Sequence, residues 1–176
     1  MNIIIRQEQN TDYEIVFELI ENAFNGQTYS DGSEGELVYR LRQSKSFEPR
    51  LSLVAEDEGL LVGHILFTPI QLINNDSIIS SLALAPVAVS PEYQRKGIGS
   101  QLINEGHRIA RELGYQSIIV MGHPNYYPYF GYQPTVNWGI RSPFDVPPEY
   151  FMALELTPDS LKNVKDFWVT YPKEFV

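Results

Sequence analysis

Gln94-Arg95-Lys96-Gly97-Ile98-Gly99-Ser100 is the segment whose residue types and spacing are best suited to chemistry. It falls between a strand-like run and a helix-like run. A helix start offers unpaired N–H groups and the positive end of a dipole, which together suit an anion. Two glycines let phosphate oxygens approach the backbone with no Cβ in the way. A dinucleotide fingerprint would want a third Gly where Leu102 stands. A phosphate-binding P-loop would want Lys and Ser/Thr after its last Gly, where Ser100-Gln101 stand. Taken alone, the pair of glycines reads as a tight turn. A second candidate is the aromatic cluster Tyr126, Tyr127, Tyr129, Phe130 and Tyr132, whose phenols are proton donors at neutral pH. Base stacking is the other use of such a cluster, but no basic stripe accompanies it. Cysteine is absent, which removes thiol nucleophiles, disulfides and thiolate metal sites. The three histidines lie far apart without ligand spacing, so no metal is expected.

The elements that must hold these residues can be read from hydrophobic period and punctuation. Ile3-Ile4-Ile5 reads as a first strand. Thr11-x-x-Glu14 predicts a capping box, followed by a helix with Ile15, Val16, Leu19, Ile20, Ala23 and Phe24 on one face and Gly26 as its stop. After the polar stretch Asn25 to Gly32, Ser33-x-x-Glu36 predicts a second capping box and a helix through Leu37 and Leu41. Leu51 to Ala55 and Leu61 to Phe67 read as strands joined at Asp57-Glu58-Gly59. Leu82 to Val89 is a largely apolar strand, with Pro86 predicting a bulge or a lost pairing. A helix from about Lys96 to Leu113, closed by Gly114, leads to a strand over Tyr115 to Met121, which makes a parallel crossover. Eight of the twelve prolines lie from Pro124 onward, so short elements and ordered loops are expected there. Phe151 to Leu156 is the one clear late strand, and Thr157-Pro158-Asp159 predicts a terminal helical turn.

The chain has 176 residues, one domain's worth, and residues 1–176 are expected to form a single domain. Thirteen Lys and Arg against twenty-two Asp and Glu give a net charge of −9. That charge disfavours nucleic acid and anionic membrane and favours a cationic partner. The N-terminus lacks the basic start and apolar run of a signal peptide, and no stretch is long enough to span a membrane. A cytoplasmic protein is expected.

The order of motifs is more specific than any one of them. Val87-Ala88-Val89, then Ser90-Pro91-Glu92-Tyr93, then Gln94-x-x-Gly97-x-Gly99 and a long helix, resembles the acetyl-CoA loop of the GCN5-related N-acetyltransferase (GNAT) superfamily. Tyr127-Pro128-Tyr129-Phe130-Gly131-Tyr132 resembles the same family's Tyr, three residues, Gly-aromatic signature. The likeness to the YhbS-like branch covers nearly the whole chain, from Gly63-His64-Ile65-Leu66 to Phe151-Met152-Ala153-Leu154-Glu155-Leu156. The family often carries an Asn seven residues before the Tyr, where this chain has Val120. Pro124 leaves room for only a short helix before Tyr127.

The resemblance implies a mixed α/β fold: a twisted, largely antiparallel sheet with one splayed parallel pair and helices on both faces. It implies acetyl transfer from acetyl-CoA to an amine by direct attack in a ternary complex. Pantetheine would pair with the edge at Val87, Ala88 and Val89, where a backbone N–H would polarise the thioester carbonyl. The pyrophosphate would sit over the turn from Gln94, on the N–H groups of Arg95, Lys96, Gly97, Ile98, Gly99 and Ser100, with the cations of Arg95 and Lys96 adding charge. Tyr127 would protonate the leaving thiolate. The amine must lose its own proton, and Glu34, Glu36, His64, His123 or a water chain could take it. His64 between Val62 and Ile65 reads equally as a core histidine, Glu36 as a capping residue, and His107 as surface. The acceptor, small molecule or peptide, should be cationic, with Asn25 to Gly32 bordering its pocket; a homodimer is compatible with the same reading. The rival is a non-catalytic acyl-CoA-binding or sensor module.

Overall fold

The computed structural model describes residues 1–176. In chain order it holds strand β1 (Ile3–Gln7), helices α1 (Tyr13–Phe24) and α2 (Glu34–Arg42), and strands β2 (Ser52–Asp57), β3 (Leu60–Asn74) and β4 (Ser77–Val89). Helix α3 (Ile98–Glu112) follows, then strands β5 (Ser117–Met121), β6 (Gln133–Pro134), β7 (Phe151–Glu155) and β8 (Trp168–Thr170). The strands form one open sheet in the order β1-β2-β3-β4-β5-β7-β6, with β8 added along the distal part of β3. Every strand pair is antiparallel except β4 with β5. The mixed α/β architecture expected from the sequence is the one observed.

Helices cover both faces because strand side chains alternate. Leu53, Ala55, Ile65 and Phe67 point to α3, where Ile98, Leu102, Ile103 and Ala110 are buried against them. Val54, Leu66 and Ala88 point the other way, to Val16, Leu19 and Ile20 of α1 and Val38 and Leu41 of α2. Beyond the helices, the irregular segment after β6 supplies the cover: Ile140, Leu161, Val164 and Phe167 pack on Ala83, Ile119 and Ala153. Ile15, expected on the apolar face of α1, is half exposed.

Both helix starts differ from the capping boxes expected. Residues Asn10–Asp12 form a 3-10 turn ahead of α1, and the Asp12 carboxylate accepts the Gln9 N–H at 2.8 Å. Asp12 is also held by Arg6 at 2.7 Å, and neither it nor Thr11 gives α1 a side-chain cap. At α2 the Ser33 hydroxyl donates to Asp31 and leaves the helix N–H groups alone. Strands β3 and β4 are longer than the alternation predicted, reaching 15 and 13 residues around a turn at Asn75-Asp76. Pro69 falls inside β3, opposite Leu82 of β4. It lies past the β2 ladder, which ends at Leu66, and before the β8 ladder, which starts at Gln71. There β3 has one neighbour, so a missing N–H is tolerated. Thr157-Pro158-Asp159 is a turn with Asp159 at φ 62°, not a helix.

Two of the three histidines are core residues. His64 is fully buried on β3, with Nε2 3.1 Å from the Ser52 hydroxyl, beside Glu8, which is paired with Arg42. His107, expected at the surface, is 5% exposed, and its Nε2 lies 2.9 Å from the Tyr132 hydroxyl. Burial pushes both down from the usual 6.5 to about 4; Glu8 opposes and Arg42 assists at His64, while Arg111 assists at His107. Between those values the unfolded chain holds more protons than the folded one. Stability is therefore complete above about pH 6.5 and is lost as pH falls toward 4. Each histidine is expected to cost about 2 kcal/mol by about pH 5. Urea unfolding at neutral pH and at about pH 5 measures this. His107→Gln, which keeps a partner for Tyr132, should remove roughly half of the slope, and an unchanged slope would assign it to other groups.

Candidate active site

The parallel pair that crosses the middle of the sheet is short. Leu82, Ala83 and Leu84 of β4 lie beside Ile118, Ile119 and Val120 of β5, and the ladder stops there. Beyond it, Val87, Ala88 and Val89 stay paired with Ile65, His64 and Gly63 of β3. Their other edge has no strand partner. Ile65 faces Val87 and Phe67 faces Leu84, so two steps on β3 match three on β4, and the extra residue falls at Ala85-Pro86. This is the bulge that Pro86 predicted. A bulge bends its strand and increases local twist, which turns the end of β4 away from β5. The Ala88 side chain is buried toward α1 and α2, so only its backbone faces the opening.

The free edge runs into the glycine turn. Gln94 anchors the turn by donating its side-chain amide to the Val89 carbonyl at 3.1 Å. Arg95 at φ 61° and Gly97 at φ 83° take left-handed conformations, and the chain then enters α3. The first helical bond recorded at this end joins the Gln101 N–H to the Gly97 carbonyl at 3.1 Å, so the N–H groups of Ile98, Gly99 and Ser100 precede the helix ladder. Alternating handedness followed by a helix start makes a concave nest of donors. Gly97 is glycine because of its φ; a Cβ there would meet nothing within 4 Å. Gly99 is glycine because of a close approach: its Cβ would stand 2.9 Å from the Tyr126 hydroxyl. Ile98 contributes only backbone, since its side chain is 1% exposed in the core under α3. The Lys96 ammonium rests over the Tyr93 ring at 5.1 Å, and Arg95 is exposed with no ion-pair partner.

Across the opening stands the aromatic turn. Tyr127–Phe130 is a single 3-10 turn with Pro128 near its start, closed by Gly131 at φ 97°. Tyr127 is 8% exposed, packed edge-to-face on Tyr126 at 5.1 Å and on Tyr132 at 5.7 Å. Gly122 makes this placement feasible, because a Cβ there would lie 2.2 Å from the Tyr127 ring. The buried side-chain polar atoms that lack a partner are His64 Nδ1 and Thr68 Oγ1. The Tyr127 hydroxyl, which has no hydrogen-bond partner either, therefore keeps contact with solvent at its tip. Burial, reinforced by the phenols of Tyr126 and Tyr29, pushes its pKa well above the ordinary phenol value. It is a neutral O–H donor at all working pH values.

Tyr29, in the loop between α1 and α2, is exposed. The same loop borders a cleft of about 410 Å³ whose lining includes Glu21, Asn25, Gln27, Ser30, Asp31 and Glu34. Asp31 is held ionised by the Ser33 hydroxyl and N–H. Of the candidate bases, Glu34 lines this cleft, Glu36 is exposed beside it, and His64 is sealed in the core. His123 is exposed, and its Nδ1 accepts the Asn125 N–H at 3.3 Å, a local loop contact. No three His, Asp or Glu side chains gather as a metal would require, and no helix is long and apolar enough to cross a membrane.

Sequence reasoning missed three residues here. Gly122 and His107 carry no local signal, because their neighbours, Tyr127 and Tyr132, come from elsewhere in the chain. Tyr126 reads in the sequence as one more ring of the aromatic cluster, yet its hydroxyl is the one that reaches the glycine turn.

The architecture and the sequence both have known counterparts. YhbS from Escherichia coli, solved in complex with CoA, superposes with a TM-score of 0.88 at 27% identity, covering 99% of this chain and 92% of that one. A GNAT family acetyltransferase from Brucella melitensis, solved with acetyl-CoA, gives 0.81 at 32% identity over 99% of both chains. YjhQ of Escherichia coli K12, named an uncharacterized N-acetyltransferase, is 42% identical over 119 residues; the match spans 66% of this chain and 65% of that protein, just under two thirds of its length. The profile of the acetyltransferase (GNAT) domain matches residues 4–135, which include both the glycine turn and the aromatic turn. With residues 4–135 matched by the family profile and a relative 32% identical along 99% of the chain, this protein belongs to the GNAT acetyltransferase family.

Proposed function

We propose that this chain transfers an acetyl group from acetyl-CoA to a primary amine by direct attack in a ternary complex. The observation that carries the reading is the edge of β4 left unpaired beyond Leu84 and leading straight onto the nest at Gly97 to Ser100. That edge suits an extended amide chain, which would add to it as a strand does. The nest suits a diphosphate, since the glycines leave its floor open and Arg95 stands free beside it. Both features match the two ends of the CoA arm.

The acceptor nitrogen attacks the thioester carbonyl carbon; a C–N bond forms, the C–S bond breaks, and the sulfur leaves as thiolate. A backbone N–H on the free edge of Val87 to Val89 holds the carbonyl oxygen as charge develops on it. Tyr127 gives its hydroxyl proton to the sulfur as the C–S bond breaks and takes a proton back from solvent afterwards; burial favours the neutral phenol, so the transfer is concerted with thiolate departure. The proton of the ammonium leaves through water or Glu34, the candidate base that lines the cleft. Glu21, Asp31 and Glu34, within a chain of net charge −9, favour a cationic acceptor.

Thermal melts and thiol release test both halves. CoA or acetyl-CoA at a hundred times Kd should stabilise the fold by about 2.7 kcal/mol, while NAD and ATP do far less. Across a panel of amines, cationic ones should lead, and their kcat/KM should fall with added salt as the screening length shortens to about 8 Å. No melt shift with CoA ends the reading. A shift without turnover on any amine makes the chain an acyl-CoA-binding module instead. A neutral or anionic best substrate with salt-independent kinetics removes the cationic acceptor.

A further inference from the structure

The two walls of the opening touch at one side chain. Tyr126 comes from the β5 side, yet its hydroxyl lies 2.9 Å from where a Gly99 Cβ would be, on the first turn of α3. The Ser100 side chain lies beside it, with no hydrogen bond between the two. The ring packs edge-to-face on Tyr127 at 5.1 Å and on Phe130 at 5.3 Å, with its hydroxyl toward the first turn of α3. The residue is 38% exposed.

The first turn of α3 beside that hydroxyl is rich in donors. The N–H groups of Gly99 and Ser100 precede the α3 ladder, the Ser100 hydroxyl rotates freely, and Arg95 is exposed nearby in sequence. A phenol placed over such a set adds one more O–H donor from the opposite wall. Donors converging from two sides suit a ligand that carries many acceptor oxygens and no donors, as a diphosphate does. Packing alone would be satisfied by Phe at this position, and it would not need Gly99 to yield space to a hydroxyl.

We infer that Tyr126 is a diphosphate-binding residue of the acyl donor, closing the nest at Gly97 to Ser100 from the β5 side. This rests on the CoA reading above and divides the adjacent tyrosines by task. Tyr126 holds the donor at its diphosphate, and Tyr127 serves the sulfur.

Tyr126→Phe keeps the ring and removes only the hydroxyl, so the fold is retained and the ligand-free melting temperature should not move. Calorimetric titration with CoA should give a Kd about tenfold weaker, the scale of one hydrogen bond to a charged group. KM for acetyl-CoA should rise alike while kcat at saturation is kept. S-acetylpantetheine, which ends before the diphosphate, should be used equally well by the variant and the parent. Tyr129→Phe, altering a ring that is 85% exposed, should leave CoA affinity unchanged. If the parent binds CoA and Tyr126→Phe binds it as tightly, or if the loss is the same with S-acetylpantetheine, Tyr126 is not a diphosphate ligand. If the parent itself does not take CoA, the acetyl-CoA reading and this inference fall together.

Discussion

Tyr127→Phe is expected to lower kcat by roughly 10²–10⁴-fold, the range for lost acid–base catalysis, while leaving KM for acetyl-CoA near its original value. The substitution removes one oxygen from a ring that is otherwise held by Tyr126, Tyr132 and the space over Gly122. Nothing in the packing depends on that oxygen, because it has no hydrogen-bond partner in the protein, so the fold should survive intact. The melting temperature and the CoA Kd therefore serve as internal controls. The loss should be largest when thiolate departure limits the rate and smaller for acyl donors with more acidic thiols, which need less help from a proton. Should the thiol-acidity trend be absent, the hydroxyl orients the thioester and does not protonate it. Should Tyr126→Phe lose kcat while Tyr127→Phe turns over normally, the two tyrosines have exchanged the roles argued for them.

Gly99→Val is the second large effect: the CoA-induced melt shift, about 2.7 kcal/mol at a hundred times the parent Kd, should vanish. Its new Cβ would enter the floor of the nest and meet the Tyr126 hydroxyl at 2.9 Å, with Val89 next at 3.9 Å. The backbone there is helical and tolerates a side chain, and a tyrosine tip can swing, so the ligand-free fold should persist. Gly97→Ala behaves in the opposite way. It has open space around its Cβ position but sits at φ 83°, so it should destabilise the fold by about 1 kcal/mol and weaken CoA less. Differential scanning of both variants with and without CoA separates the two reasons for glycine. A Gly99→Val protein that still gains the full shift would place the diphosphate elsewhere.

The elements and their order are legible in the chain wherever local physics is decisive. Three-residue and four-residue apolar spacing placed α1 and α3, and Gly26 and Gly114 stopped the chain at positive φ as only glycine does without strain. Glu58-Gly59 made the β2–β3 turn, and Pro86 marked the bulge, because a proline cannot serve a ladder on both sides. The glycine turn was legible for the same reason: its constraint is backbone geometry carried by neighbouring residues. Tertiary structure alone decided which groups meet. Neither Thr11 nor Ser33 caps its helix: the Asp12 carboxylate turns to Arg6 and the Gln9 N–H, Asp31 takes the Ser33 hydroxyl, and spacing does not show which partner will be near. His107 and Tyr132, 25 positions apart, became a buried pair, and Tyr126 reached Gly99 across the gap between β4 and β5. Those contacts depend on how far two strands diverge and where a short turn sets its rings. Such distances are set by the packing of the whole sheet, and no stretch of sequence contains them.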